Sequence, residues 1–89
     1  VLCSMPFDTE EQAIALANDS VYGLGAYVQT LDIEKAQRVA RQLRAGNVSI
    51  NGAAYDYDVP FGGTKQSGNG RENGVYGLHD FLDIKAIAD

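Results

Sequence analysis

The sequence contains one cysteine, one histidine, two prolines and no tryptophan in 89 residues. A single cysteine cannot form a disulfide within the chain, which excludes a disulfide-stabilised scaffold and fits a reducing compartment. Cys3 and His79 are also too far apart in sequence, and too poor in neighbouring carboxylates, to indicate a metal cluster. The cysteine and histidine content therefore indicates neither a disulfide nor a metal cluster.

Basic residues and long apolar runs are scarce as well. Seven Lys and Arg against twelve Asp and Glu give a net charge of −5, which repels a phosphate backbone, so nucleic acid is not an expected partner. No apolar run approaches the roughly 20 residues that cross a bilayer, and no signal sequence is recognisable. We expect one soluble, cytoplasmic domain without a membrane partner. It begins at Val1 inside an apolar run, which is typical of a piece of a longer protein.

The hydrophobic pattern predicts an α/β fold. Strands are predicted at residues 1–7, 24–30 and 47–51. Helices are predicted at residues 10–18, after a Thr-Glu-Glu-Gln capping box, and from an Asp32 cap to Gly46 at the C-terminal end. This alternation predicts a three-stranded parallel βαβαβ unit. A glycine-rich loop, a short C-terminal helix at 75–82 and a final short strand at 84–88 complete the prediction.

The glycine-rich loop, PFGGTKQSGNGRENGVYG at residues 60–77, is the most informative segment. Glycine costs conformational entropy, so such a run stays ordered where the backbone needs positive φ or approaches another surface closely. A loop of this kind is typical of a site or an interface. A dinucleotide fingerprint is disfavoured, because Gly68, Gly70 and Gly74 are spaced one residue too widely and do not follow a strand directly.

No complete catalytic constellation is present in the residues themselves. Cys3 lies in an apolar predicted strand, where a buried, inert thiol is expected. His79 is expected at a surface or interface. The chain also lacks a serine in a strand-to-helix elbow of the hydrolase type.

Residues 60–85, PFGGTKQSGNGRENGVYGLHDFLDIK, closely resemble the C-terminal signature of the aldehyde dehydrogenase superfamily. The segments VLCSMPFDTEEQAIALAND, YGLGAYVQT and RVARQLRAGNVSIN resemble the parts of that family that come before it. The resemblance spans the whole chain and implies the C-terminal part of a catalytic domain. Members oxidise aldehydes to carboxylic acids with NAD or NADP through a cysteine thioester.

The resemblance also implies what these residues do not supply. The catalytic cysteine, the water-activating glutamate and the cofactor-binding domain are expected to precede Val1. The chain alone is therefore expected to be inactive and to bind no cofactor, while the parent enzyme uses NAD or NADP and a small-molecule aldehyde.

Several residues match positions with a role in the family. Phe61 matches a phenylalanine that walls the substrate tunnel, and Tyr55 and Tyr57 fall where further pocket aromatics occur; packing for stability alone is the alternative. Glu72 matches a glutamate assigned to a proton relay, with an ion pair to Arg71 or a structural role as the alternatives.

Two further matches concern ions and assembly. Lys65 and Gly68 match positions whose backbone carbonyls bind a monovalent cation in some members. Asp83 matches an acidic interface position that pairs with arginine, for which Arg71 is the local candidate. The resemblance thus predicts a homo-oligomer formed through exposed edges and the C-terminal region. A non-enzymatic interaction module is the alternative function, and a small nucleotide-binding protein is a third.

Overall fold

The structure is a computed structural model that describes residues 1–89. Its elements, in chain order, are α1 (Glu10–Asn18), β1 (Tyr22–Gly23), β2 (Gly25–Val28), α2 (Ile33–Gln42), β3 (Asn47–Ile50), β4 (Thr64–Lys65) and α3 (Gly74–His79). They form two small sheets, a parallel pair β2–β3 and an antiparallel pair β1–β4. No helix has the length and the apolar character that crossing a membrane requires.

The parallel pair and its helical connection confirm the α/β prediction. β2 and β3 pair from Gly25 opposite Asn47 to Val28 opposite Ile50. Val28 is half-buried, whereas Tyr27, on the other face of β2, is 81% exposed, as the alternation of the strand predicts. α2 connects the two strands and contacts both of them.

The strand predicted at residues 1–7 does not form, so the sheet has two parallel strands rather than three. Residues 1–7 make no backbone hydrogen bond and are exposed throughout. A strand is stable only when its N–H and C=O groups have a neighbouring strand, and no other part of the chain pairs with these residues. For the same reason residues 84–88 form no strand. Cys3, expected to be buried, is exposed.

The helix ends show which local signals were correct. The Thr9 hydroxyl accepts from the Gln12 N–H at 3.1 Å, as the capping box predicts, although the Gln12 side chain accepts from Asp8 rather than Thr9. The predicted Asp32 cap is confirmed by a 3.0 Å bond from the Lys35 N–H to its side chain.

The C-terminal end of α2 differs from the prediction. The helix ends at Gln42, before the glycine expected to cap it. The side chain of Asn18 takes that role, because its amide donates to the Gln42 carbonyl and accepts from the Arg44 N–H, both at 2.8 Å. Gly46 is instead needed for a close backbone approach that belongs to the site below.

The antiparallel pair β1–β4 was not predicted. It is only two residues long, with Gly23 opposite Thr64, which is too short for a periodic pattern to reveal. It attaches the glycine-rich loop to the turn that follows α1.

Candidate functional site

Residues 61–72, called the closed loop below, are joined at their two ends. The Phe61 N–H donates to the Glu72 carbonyl at 2.8 Å, and the Glu72 N–H donates to the Phe61 carbonyl at 2.7 Å. Directly opposed residues of an antiparallel pair project their side chains to the same face. The closure therefore places an aromatic ring and a carboxylate side by side.

Asn47 positions the start of the closed loop. Its side-chain amide donates to the Pro60 carbonyl at 2.9 Å, and its oxygen accepts from the Gly62 N–H at 3.2 Å. The preceding residue must be glycine, because a Cβ on Gly46 would lie 1.6 Å from the Gly62 carbonyl oxygen. The start of β3 thus positions the loop in two ways. The Asn47 side chain bonds to it, and Gly46, just before the strand, leaves room for its backbone.

Arg71 holds the inside of the closed loop. Its Nη1 donates to the carbonyls of Gly63, at 2.6 Å, and Gly70, at 2.9 Å. Its backbone N–H donates to the Asp80 carboxylate at 2.9 Å, which connects the loop to the end of α3. Because this guanidinium satisfies two carbonyls, the glycine-rich backbone keeps a defined shape.

Three aromatic rings form a cluster next to the closure. The Tyr55 ring lies 4.7 Å from the Tyr57 ring and 6.2 Å from the Phe61 ring, both in edge-to-face geometry. The Asn73 amide donates to the Tyr55 hydroxyl. The three aromatic residues that the sequence proposed for a substrate wall are therefore brought together.

Glu72 is exposed, and its carboxylate has no hydrogen-bond or ion-pair partner within the chain. The alternative ion pair with Arg71 does not form, and neither does a pair between Arg71 and Asp83. The Glu72 carboxylate is thus free to accept a proton or a hydrogen bond from outside these residues.

A cleft of about 400 Å³ runs along the closed loop, and both Phe61 and Glu72 line it, together with Arg71 and Phe81. This volume lies in the range of roughly 300–1,000 Å³ that is common for small-molecule sites. A larger groove of about 560 Å³ lies between α1, α2 and β2. It contains none of the predicted site residues, and its lining mixes aliphatic side chains such as Ile14 and Val39 with aromatic, polar and charged ones.

Lys65 and Gly68, proposed as cation ligands, lie in a tight turn on the β4 side of the closed loop. Lys65 has a φ of 54°, and its carbonyl accepts from the Gly68 N–H at 3.3 Å. The Lys65 ammonium donates to the carbonyls of Asn18 and Ser20, at 3.0 Å each. The Lys65 ammonium therefore lies at the turn that follows α1, and the carbonyls of Lys65 and Gly68 are not its partners.

The residues present do not form a dinucleotide site. Such a site requires a glycine turn that connects a strand directly to a helix with an open N-terminus. α3 is only six residues long, and its first residue, Gly74, lies against the Asp58 carbonyl. The chain also contains no group of three or more His, Cys, Asp or Glu residues arranged to hold a metal ion.

The one ion pair lies outside this site and joins α1 to α2. Arg38 donates from Nε to Glu10 at 3.0 Å and from Nη2 at 2.8 Å. These two hydrogen bonds, and the positive charge of the guanidinium, hold the pKa of Glu10 below its ordinary value. The same hydrogen bonds, and the negative charge of the carboxylate, raise the pKa of Arg38.

The model of the aldehyde dehydrogenase family matches residues 1–87. The chain belongs to the aldehyde dehydrogenase family. The family resemblance of residues 60–85 is thereby confirmed over nearly the whole chain.

Individual relatives agree. A 3-succinoylsemialdehyde-pyridine dehydrogenase from a Pseudomonas species is 59% identical over 98% of this chain and 18% of its own length. The NADP/NAD-dependent aldehyde dehydrogenase PuuC of Escherichia coli K12 is 51% identical, again over 98% of this chain and 18% of its own length. The chain thus spans about a fifth of the length of these aldehyde dehydrogenases.

Solved structures give the same result for the fold. A mutant of aldehyde dehydrogenase C from Pseudomonas syringae, in complex with NAD+ and octanal, superposes with a TM-score of 0.94. It is 52% identical, and the match covers 97% of this chain and 18% of that one. The Mycobacterium tuberculosis aldehyde dehydrogenase in complex with NAD+ superposes with a TM-score of 0.83 and is 53% identical. That match covers 86% of this chain and 16% of the other.

Sequence reasoning missed Asn47 and Asn73, which position the loop closure and the Tyr55 ring. An asparagine side chain can bind both a backbone donor and a backbone acceptor, so both residues could have been recognised as positioning groups. Their partners, Pro60 and Tyr55, could not have been predicted, because it is the tertiary structure that brings them to the two asparagines.

Proposed function

We propose that this chain is part of the catalytic domain of an NAD(P)-dependent aldehyde dehydrogenase, in which it forms a wall of the substrate tunnel and a subunit contact. The observation that carries the proposal is the single cleft lined by Phe61 and Glu72 beside the aromatic cluster. Family membership supports the reaction class, and the NAD+ complexes of similar enzymes support the cofactor class.

Phe61, Tyr55 and Tyr57 are proposed to form the aromatic wall. Phe61 lines the cleft, the Tyr55 ring packs edge-to-face against the Phe61 ring, and the Tyr57 ring packs in the same way against Tyr55. An aromatic wall excludes water around a bound aldehyde, which protects a reactive acyl intermediate from premature hydrolysis.

Glu72 is proposed to relay a proton. Its carboxylate is solvent-accessible and unpaired, and the closure holds its backbone opposite Phe61. A carboxylate so placed can take a proton through a water molecule from a general base that other residues of a longer polypeptide supply.

Lys65 and Gly68 are proposed to bind a monovalent cation through their carbonyls, and Asp83 is proposed to pair with Arg71 between subunits.

The rest of the reaction is assigned to residues outside this chain. Cys3 is exposed in a segment without backbone pairing, and nothing in the structure prepares it as a nucleophile. Hydride transfer would be the chemistry supplied by NAD or NADP, and the residues present do not form a site for that cofactor. We therefore expect the chain alone to be inactive.

The experiment compares Glu72→Gln with the wild type in the longer polypeptide that carries these residues. A proton-relay role predicts a loss in kcat on the order of 100-fold, an unchanged KM for the aldehyde and a flattened pH profile of kcat. Glu11→Gln, which removes an exposed carboxylate from α1, is the matched control and is expected to leave all three unchanged. An unchanged kcat and pH profile in Glu72→Gln contradicts the relay.

A second function, a module that associates with other polypeptides, is favoured by the exposure of large apolar side chains. Leu31 is fully exposed, and Ile84 and Phe81 are exposed by 102% and 87%. Apolar surface of this extent is typical of a face that is covered in an assembly. The two proposals are compatible, because the same faces can serve as subunit contacts in the enzyme.

A further inference from the structure

The chain contains three Asn-Gly pairs, at residues 51–52, 69–70 and 73–74. In such a pair the backbone nitrogen of the glycine can attack the side-chain carbonyl carbon of the asparagine, since glycine has no side chain to obstruct the approach. The three pairs differ greatly in how the structure holds the asparagine.

The amide of Asn51 is held at both ends. Its oxygen accepts from the Thr30 N–H at 2.9 Å, and its nitrogen donates to the Thr30 carbonyl at 3.0 Å. Asn73 is held once, through the bond from its amide to the Tyr55 hydroxyl, and is half-buried. Attack by the following nitrogen requires the side chain to turn, which these bonds oppose.

The side chain of Asn69, in contrast, has no hydrogen-bond partner. The residue is exposed, and neither its side chain nor its backbone N–H forms a hydrogen bond within the chain. The N–H of Gly70 also has no acceptor, but the same is true of Gly52 and Gly74. The difference between the pairs therefore lies in the asparagine side chain.

We infer that Asn69-Gly70 is a site of spontaneous deamidation that selectively modifies the closed loop. The Gly70 nitrogen bonds to Cγ of Asn69, the bond from Cγ to Nδ2 breaks, and the proton of the Gly70 N–H leaves with the amide nitrogen as ammonia. A water molecule then opens the resulting five-membered imide at either carbonyl. The products are aspartate and isoaspartate, and no oxidant or reductant is required.

Conversion to isoaspartate changes the loop where Arg71 holds it. The main chain gains a methylene group and a carboxylate immediately before Gly70, whose carbonyl accepts the 2.9 Å bond from Arg71. That carbonyl also lies directly against Gly62, where a Cβ would be 2.1 Å from its oxygen. A backbone packed this tightly cannot absorb an extra atom without moving, so the isoaspartate form loosens residues 62–71.

The test incubates the purified protein at mildly alkaline pH and measures each Asn-Gly pair by peptide mapping with mass spectrometry. Asn69 is expected to react about thirtyfold faster than Asn51, which must break two hydrogen bonds, and about fivefold faster than Asn73, which must break one. In denaturant the three rates should converge, which shows that the fold causes the selectivity. Equal rates under native conditions, or faster reaction of Asn51, overturn the inference.

Two variants serve as controls. Asn69→Gln removes the five-membered ring and should abolish the modification at this position. Gly70→Ala should slow it by crowding the attacking nitrogen, and the fold permits this alanine, because the added Cβ meets only the Asp80 carboxylate at 3.6 Å. Unchanged modification in Gly70→Ala contradicts the proposed attack.

The structural consequence has its own measurement. Hydrogen exchange at residues 62–71 should be faster in the isoaspartate form than in Asn69→Asp, which adds the charge without lengthening the main chain. Identical exchange in the two proteins contradicts the loosening of the loop. None of these outcomes depends on aldehyde oxidation, so this inference and the proposed function can fail separately.

Discussion

At the scale of single residues, asparagine side chains act as replacements for backbone groups. Asn18 caps the end of α2, Asn47 bonds to the Pro60 carbonyl and the Gly62 N–H on either side of Phe61, and Asn51 pairs with the backbone of Thr30 beyond the last residue of β2. Each amide supplies one donor and one acceptor, as a peptide unit does. These contacts are significant because only Ala36 is a buried hydrophobic residue in this chain.

The glycines of the closed loop are a second feature at this scale, and they differ in what a methyl group would meet. In Gly62→Ala the new Cβ would lie 2.1 Å from the Gly70 carbonyl oxygen, so backbone must move. We expect the free energy of unfolding to fall by about 1–3 kcal/mol. Urea unfolding monitored by circular dichroism measures this change.

Gly25→Ala is the matched control, because its Cβ would have no atom within 4 Å. We expect a change within about 0.5 kcal/mol. If both alanine variants were equally stable, close backbone contact would not be what requires glycine at position 62.

At the scale of elements, the Glu10–Arg38 pair fastens α1 to α2. Because folding lowers the pKa of Glu10 from its ordinary value of 4.5, the pair contributes its full stabilisation above pH 4.5. The contribution is lost as the pH falls through the lower, folded-state value. The contact between α1 and α2 should therefore weaken in acid.

NMR titration of the Glu10 carboxyl carbon measures this pKa directly. In Arg38→Gln we expect the Glu10 pKa to rise toward 4.5, because the hydrogen bonds and the positive charge are both removed. Arg41→Gln, which changes another arginine of α2, should leave the pKa of Glu10 unchanged. A Glu10 pKa that does not respond to Arg38→Gln would show that the pair does not persist in solution.

The elements also show how far the sequence predicts this fold. The starts of α1 and α2 were predicted correctly, because their caps, Thr9 and Asp32, lie within three residues of their partners. The strand at residues 1–7 was wrong, since strand formation depends on a distant partner that an apolar run does not specify. The end of α2 was also wrong, because Asn18 is brought to it by tertiary structure.

The site was predicted to a similar extent. Family resemblance selected Phe61, Tyr55, Tyr57 and Glu72, and the structure brings the three rings together and closes the loop between Phe61 and Glu72. Their roles remain predictions. The closure itself could not be read from the sequence, because the hydrogen bonds of Phe61 to Glu72 are made by backbone groups that every residue carries.

At the scale of the whole molecule, the chain is extended. Its radius of gyration is 16.5 Å, with extents of 61 × 27 × 26 Å, whereas a compact domain of this length would have a radius of about 12 Å. The exposed apolar residues of the two terminal segments, such as Leu2 and Ile87, need a cover to be stable in water.

We therefore expect the purified chain to associate with itself. Light scattering at micromolar concentration should give a mass above that of the monomer, and a dye specific for apolar surface should bind. Replacing Leu2, Ile84 and Ile87 by serine should reduce both signals. A monodisperse monomer without dye binding would contradict the proposed contact surfaces.

The most direct test of the account is cofactor reduction by the chain itself. The purified protein is incubated with a panel of aldehydes and with NAD or NADP, beside a Cys3→Ser variant, and the absorbance of reduced nicotinamide is recorded. We predict no reduction by either protein, because the proposed function assigns the attacking thiolate and the dinucleotide site to residues other than these 89. Reduction that is abolished in Cys3→Ser would contradict it.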